Sequence, residues 1–82
     1  MFKKSEVKVL KYLYDQKVEV SPTTIFRETG LAYNGVFLTV QALEEMGLVT
    51  SRIWRKFRMI SLTEKGRKVV ELLKKIEGII DK

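Results

Sequence analysis

Cysteine and histidine are both missing from these 82 residues. Without cysteine there is no disulfide framework and no thiolate metal site, and a reducing cytoplasm is the expected setting. Without histidine the commonest general base and a principal zinc ligand are gone too, so neither metal nor cofactor is expected. Proline occurs once, at Pro22, and no apolar run approaches the ~18–20 residues that a membrane span needs. The opening Met1-Phe2-Lys3-Lys4-Ser5-Glu6 lacks the apolar core of a secretory signal. No glycine-rich phosphate cradle appears, and no nucleophile sits at a base's spacing. The adjacent carboxylates Glu44 and Glu45 point about 100° apart on a helix, so they do not form an acid–base pair. An enzyme is not expected.

Positive charge is what the chain does carry: 16 Lys and Arg against 10 Asp and Glu, a formal net charge of +6 and a sequence pI near 9.7. Such a balance suits an anionic partner, although a solvated basic surface has the same composition. Distribution is more telling. Residues 22–51 hold one arginine, Arg27, against three acids, whereas Arg52, Arg55, Lys56 and Arg58 crowd into 52–58 with no acid among them. A chain this short buries only about 60–65% of its unfolded surface, so association between copies is a natural source of extra stability.

Hydrophobic spacing divides the chain into helices and a hairpin. Ser5 is the expected cap of a first helix, with Val7, Leu10, Leu13 and Tyr14 on its apolar stripe and an end near Gln16. Val18-Glu19-Val20 alternates like a very short strand that pairs with the hairpin's edge. Ser21-Pro22 is a strong helix start, a capping hydroxyl followed by proline at the first helical position. Ile25 and Phe26 are that helix's expected buried residues, and Thr29-Gly30 its stop. Leu31 plugs the turn. A third helix begins between Ala32 and Asn34, buries Val36, Val40 and Leu43, and ends at Gly47. Leu48 to Ile53 and Phe57 to Leu62 read as strands. Between them Trp54-Arg55-Lys56 contains no Asn-Gly, so a loop wider than two residues is expected. Thr63 caps the last helix, whose apolar residues run from Val69 to Ile80. The expected fold class is mainly α with a small β-hairpin, α+β, as one domain over residues 1–82.

Thr29-Gly30-Leu31, Leu43-Glu44-Glu45-Met46-Gly47-Leu48-Val49 and Ser61-Leu62-Thr63-Glu64-Lys65-Gly66-Arg67 resemble the winged helix-turn-helix transcriptional regulators. The nearest likeness is to the MarR-like group and its small archaeal relatives, over roughly residues 5 to 70. The resemblance implies a dimeric regulator of double-stranded DNA, with the third helix in the major groove and the hairpin wing on backbone or minor groove. Its terminal helices would hold the dimer. By position the groove-facing side of the third helix is Tyr33, Asn34, Gly35, Phe37, Leu38 and Gln41, and the wing is Arg52 through Arg58. Two departures stand out: Ala32 occupies a place where relatives carry a capping serine or threonine, and the third helix's open side has no lysine or arginine.

The residues themselves support several roles. Asn34 and Gln41 lie two turns apart on one face and suit adenine, while Phe37 and Leu38 suit thymine methyls or, equally, a protein surface. Asn34 also suits helix capping, and Phe37 a neighbouring element. Tyr33 offers a hydroxyl to a phosphate. Thr23 sits at a helix start where free backbone N–H groups favour phosphate, although capping by Ser21 explains that start without a ligand. Arg52, Trp54, Arg55, Lys56 and Arg58 combine phosphate-neutralising charge with an indole that stacks or wedges; the plain alternative is a solvated loop tip. Four phosphates per protomer would give a dimer a log–log salt slope of about −7. On the last helix Val69, Val70 and Leu73 suffice for the core, which leaves Leu72, Ile76, Ile79 and Ile80 for a second copy, joined by Val7, Leu10 and Tyr14, or for the chain's own first helix. The functional expectation is a homodimeric, sequence-specific DNA-binding regulator, a repressor by occupancy. The alternatives are a protein-interaction winged helix and a non-specific architectural DNA protein.

Overall fold

Helices α1 (Lys4–Asp15), α2 (Pro22–Thr29) and α3 (Tyr33–Glu45) precede a hairpin of β1 (Val49–Trp54) and β2 (Phe57–Leu62), and α4 (Glu64–Ile80) closes the order. The computed structural model describes residues 2–80. Helix α1 starts two residues earlier than the serine signal suggests. Lys3 is the capping position, and its backbone N–H donates to Glu6 Oε1 at 2.9 Å. Glu6 thus does at the third helical position what Ser5 was expected to do from the cap. Gln16 ends the helix, as its loss of apolar spacing implies.

The α2 boundaries follow local chemistry. Ser21 Oγ accepts from the Thr24 N–H at 3.3 Å, Pro22 takes the first turn, and Gly30 closes the helix at φ 73°, a left-handed geometry that glycine adopts without strain. Phe26 is not buried as its spacing suggests. It lies on the open side of α2, edge-to-face with Tyr33 at 5.4 Å. Helix α3 begins at Tyr33 behind Ala32, which contributes no side-chain cap.

Residues from every element meet in one core. Val9, Leu10 and Leu13 of α1, Ile25 of α2, Val36, Val40 and Leu43 of α3, Ile60 of β2 and Val70 of α4 are all essentially buried. The expected short strand is reduced to one residue. Val20 exchanges both backbone hydrogen bonds with Ile60, at 3.0 and 2.8 Å, while Val18 stays in solvent. This bridge fastens the α1–α2 connection to β2.

The junction between α3, β1 and α4 is close-packed. Thr63 Oγ1 donates to Gly47 O at 2.7 Å and accepts from the Gly66 N–H at 3.0 Å, so one hydroxyl caps α4 and satisfies the end of α3. A Cβ on Gly66 would sit 2.1 Å from Leu48 O, closer than any side chain tolerates. Only glycine lets α4 approach the start of the hairpin this nearly.

The hairpin turn is tighter than expected. Trp54 pairs with Phe57, so the loop is Arg55-Lys56 alone. Arg55 takes φ 57°, where the favoured two-residue turns place glycine or asparagine. The strand pairing holds a turn that the local sequence does not ask for.

Candidate nucleic-acid interface

Helix α3 has two distinct sides. Val36, Thr39, Val40 and Leu43 face the core, while Tyr33, Asn34, Phe37, Leu38, Gln41 and Glu45 stand exposed along the opposite arc. At 100° per residue these six fall within about 140°, the width of a face that can lie in a groove. Asn34 and Gln41 are both on it, two turns apart, as their spacing implies. Gly35 is not on this arc. It lies on the flank toward α1, beside a hollow lined by Lys3, Ser5, Glu6 and Leu38. Glu45, which sequence reasoning passed over, is on the open arc and is able to accept from a cytosine amino group.

Three aromatic rings extend the open side onto α2. Phe26 meets Tyr33 edge-to-face at 5.4 Å, and Tyr33 meets Phe37 in the same way at 5.0 Å. Phe37 therefore has a packing partner in its own chain as well as an exposed surface. Leu38 has far more exposure, at 68%.

Between this ladder and the wing runs a cleft of about 420 Å³, lined by Thr23, Thr24, Arg27, Tyr33, Phe37, Lys56, Phe57 and Arg58 among others. Five of the residues singled out from sequence meet here: Thr23, Tyr33, Phe37, Lys56 and Arg58. Arg27 is the functional candidate that sequence reasoning missed. Its signal was present, since it stands four residues after Thr23 on the same helical face and is the sole cation between 22 and 51.

The four wing cations are not equivalent. Arg52 donates from Nε to Glu19 Oε1 and Oε2 at 2.8 and 2.9 Å, with a further bond from Nη2. Arg58 donates from Nη2 to Glu44 Oε1 at 2.6 Å, and Ser51 Oγ donates to the other carboxylate oxygen at 3.0 Å. Glu44 thus ties α3 to both strands of the wing. The Arg52 hydrogen bond holds the Glu19 carboxyl below its ordinary value against an opposing burial effect, and Glu19 raises the Arg52 guanidinium in turn. Arg55 and Lys56 at the tip have no ion-pair partner among the described residues. Arg55 instead lies over the Trp54 indole, 4.8 Å from the ring centre. The acid-free run in the sequence is therefore a half-neutralised wing in space.

The residues expected at a subunit contact divide as well. Leu10 is wholly buried in its own chain's core and has no surface to offer a partner; Val7 is half-buried. Tyr14 packs against α4, its hydroxyl donating to Glu71 Oε2 at 3.1 Å beneath the Lys74 ammonium, 4.4 Å from the ring centre. That bond raises the Tyr14 phenol above its ordinary value. Lys11 to Glu77 at 2.6 Å and Lys74 to Asp15 at 3.7 Å complete a polar seam between α1 and α4. On the far side of α4, Leu72 and Ile76 join Phe2, Val69 and Leu73 around an apolar groove of about 300 Å³, and Ile79 and Ile80 continue the stripe in solvent. No described helix is long and apolar enough to cross a membrane.

No family model and no curated protein matches the sequence. Solved structures do match it in shape. The Archaeoglobus fulgidus protein AF1382 superposes with a TM-score of 0.89 at 24% identity, over 100% of this chain and 93% of its own. MepR of Staphylococcus aureus, a transcription regulator of the multidrug efflux pump MepA, superposes at 0.91 with 22% identity, over 98% of this chain. A MarR-family transcriptional regulator from Rhodococcus sp. RHA1 gives 0.81 at 27% identity over 89% of this chain. The chain spans 61% of MepR and 53% of the Rhodococcus protein. Its fold is the winged helix-turn-helix of MarR-like regulators.

Proposed function

We propose that this chain is a double-stranded DNA-binding transcriptional regulator that works as a homodimer and represses by occupying its operator. The observation that carries the reading is the shared direction of three features. Tyr33 and Phe37 from the open arc of α3, Thr23, Thr24 and Arg27 of α2, and Lys56 of the wing tip, which has no ion-pair partner among the described residues, all border one cleft. A helix with an exposed polar and apolar face suits the major groove, and Asn34, Gln41 and Glu45 are the side chains able to read base edges there. Thr23, Tyr33 and Arg27 supply phosphate contacts that set position without reading sequence. Arg55 and Lys56 take the backbone beside the groove. S. aureus MepR, of the same fold, has been solved in complex with DNA, which supports the same partner here.

The exposed stripe of Leu72, Ile76, Ile79 and Ile80 is the surface proposed to join two copies. Burial against a second chain contributes something like 1.5–3 kcal/mol per fully covered side chain. Two-fold symmetry then calls for half-sites ~10 bp apart. With Arg52 and Arg58 held by carboxylates, the tip alone neutralises two phosphates per protomer, which brings the wing's part of a dimer's log–log salt slope to about −4 rather than −7.

Selection of bound fragments from random DNA, followed by titration at two salt concentrations, tests the function. A recovered palindrome and salt-sensitive affinity are expected. Salt-sensitive binding without sequence preference would make the protein architectural, and no binding at low salt would favour a protein partner for Phe37, Leu38 and Trp54. Sedimentation of Ile76→Glu tests the assembly: a monomer is expected, and a persistent dimer would move the contact elsewhere.

A further inference from the structure

The wing tip is apolar as well as cationic, and backbone contact alone leaves the apolar part without a role. Ile53, Trp54 and Phe57 are 69%, 47% and 57% exposed, although they surround a turn of only two residues. Trp54 and Phe57 are directly paired across the hairpin, so their side chains leave the same face as neighbours. The Arg55 guanidinium caps one ring at 4.8 Å. Together they form a blunt aromatic edge on a protruding ribbon, flanked by two cations with no ion-pair partner among the described residues.

Size decides how such an edge meets a duplex. Paired strands lie about 4.7–4.9 Å apart before side chains are counted, whereas the minor groove of B-form DNA is about 6 Å wide. With α3 in the major groove, the tip has two choices. It rests on the sugar-phosphate backbone with its rings in water, or it enters a minor groove that has been opened. Charge complementarity favours DNA as the occupant, because Arg55 and Lys56 form the turn that joins the two aromatic residues. Backbone geometry agrees. Arg55 holds a left-handed φ of 57° that glycine would adopt more readily, and the side chain kept there is a cation laid on an indole.

We propose that Trp54 and Phe57 form a wedge that inserts at a base step in the minor groove, unstacking it and bending the duplex toward the major groove. This rests on the DNA-binding reading above. Arg55 and Lys56 hold the flanking phosphates during insertion. The step entered is of the flexible pyrimidine–purine kind, which unstacks most easily. The proposal gives the wing a part in selecting sequence that involves no hydrogen bond to a base.

Trp54 is the only tryptophan in the chain, so its emission reports on the tip alone. The full chain is titrated with a short random-sequence duplex at low salt, while a gel shift monitors binding. Stacking should quench the emission and lower acrylamide access to Trp54 at least about threefold. End-to-end energy transfer on a doubly labelled duplex should report a bend of roughly 20–90°. Trp54→Ala with Phe57→Ser should still bind with an unchanged salt slope but leave the duplex straight. A shifted complex in which Trp54 remains open to acrylamide overturns the wedge alone. An equal bend with the double variant also overturns it. Absence of any complex overturns the wedge together with the DNA reading. Protection of Trp54 in DNA-free protein, growing with concentration, would assign the tip to a second copy instead.

Discussion

The base and the tip of the wing are built from the same twelve strand residues and the two between them, yet they answer to different forces. At the base Val49 and Ile60 are buried, Val20 adds a bridge on the outer edge, and Arg52 and Arg58 are held by carboxylates from other elements. At the tip Ile53, Trp54 and Phe57 are exposed, and Arg55 and Lys56 have no ion-pair partner among the described residues. The base is therefore a structural joint and the tip a surface held out by it. Charge in a sequence window is a poor measure of charge available to a ligand, because carboxylates elsewhere in the chain fold back onto it.

The comparison breaks most visibly through stability. Ile60→Ala should lower stability by about 2–5 kcal/mol, since it removes a fully buried side chain at the bridge to Val20. In a domain this size each kcal/mol lowers the melting temperature by roughly 4–8 °C, which calorimetry reads directly. Trp54→Ala at the exposed tip should stay within about 0.5 kcal/mol of the parent. Equal losses at both places would erase the distinction between joint and surface.

Affinity should show the opposite ranking. Arg55→Ala with Lys56→Ala removes four phosphate contacts from a dimer, so the salt slope should flatten by about 3.6. Between 50 and 200 mM salt that is about two orders of magnitude of binding that the parent loses and the variant does not. Arg52→Ala should change the slope far less. If Arg52→Ala flattens it equally, the Glu19 pairing gives way on binding and the sequence-based count of four cations was the better one.

Two smaller effects sharpen the picture. Arg55→Gly should raise the urea midpoint by the equivalent of about 0.5–1 kcal/mol, because glycine takes the left-handed turn without the Cβ clash. It should weaken DNA binding at the same time, so that stability and affinity move apart. The smallest effect is the pH response of the Glu19–Arg52 pair. The folded-state value of Glu19 lies below the ordinary 4.5, so its contribution is present above that value and fades as pH falls through the folded one. Parent and Glu19→Gln should differ at neutral pH and converge in acid, and a gap that persists at low pH would assign the contact to packing rather than charge.

The helix-turn-helix was legible because its punctuation is local. Ser21-Pro22, Gly30 and Gly47 act within a residue or two of the boundaries they set. The apolar stripe of α3 was legible from spacing alone. The turn at Arg55-Lys56 was not, since nothing in those residues asks for it and cross-strand pairing imposes it. Nor were the carboxylate partners of Arg52 and Arg58, which lie 33 and 14 residues away in sequence. Leu10 read as a shared-surface residue because its stripe is continuous with Val7 and Tyr14, but only the fold shows which part of that stripe turns inward. Phe26 read as core because it is aromatic beside Ile25, whereas it meets Tyr33 edge-to-face at the rim. Arg27 was visible as an isolated cation four residues from Thr23, and its importance emerges only with the cleft.

Backbone amide shifts in the intact protein, followed as a duplex is added, put the central claim to its most direct test. Perturbation is expected at Thr23, Arg27, the exposed arc of α3 and residues 54–57, with the apolar stripe of α4 unmoved. Shifts gathered on Leu72, Ile76 and Ile79, with the wing tip and α3 silent, would contradict it.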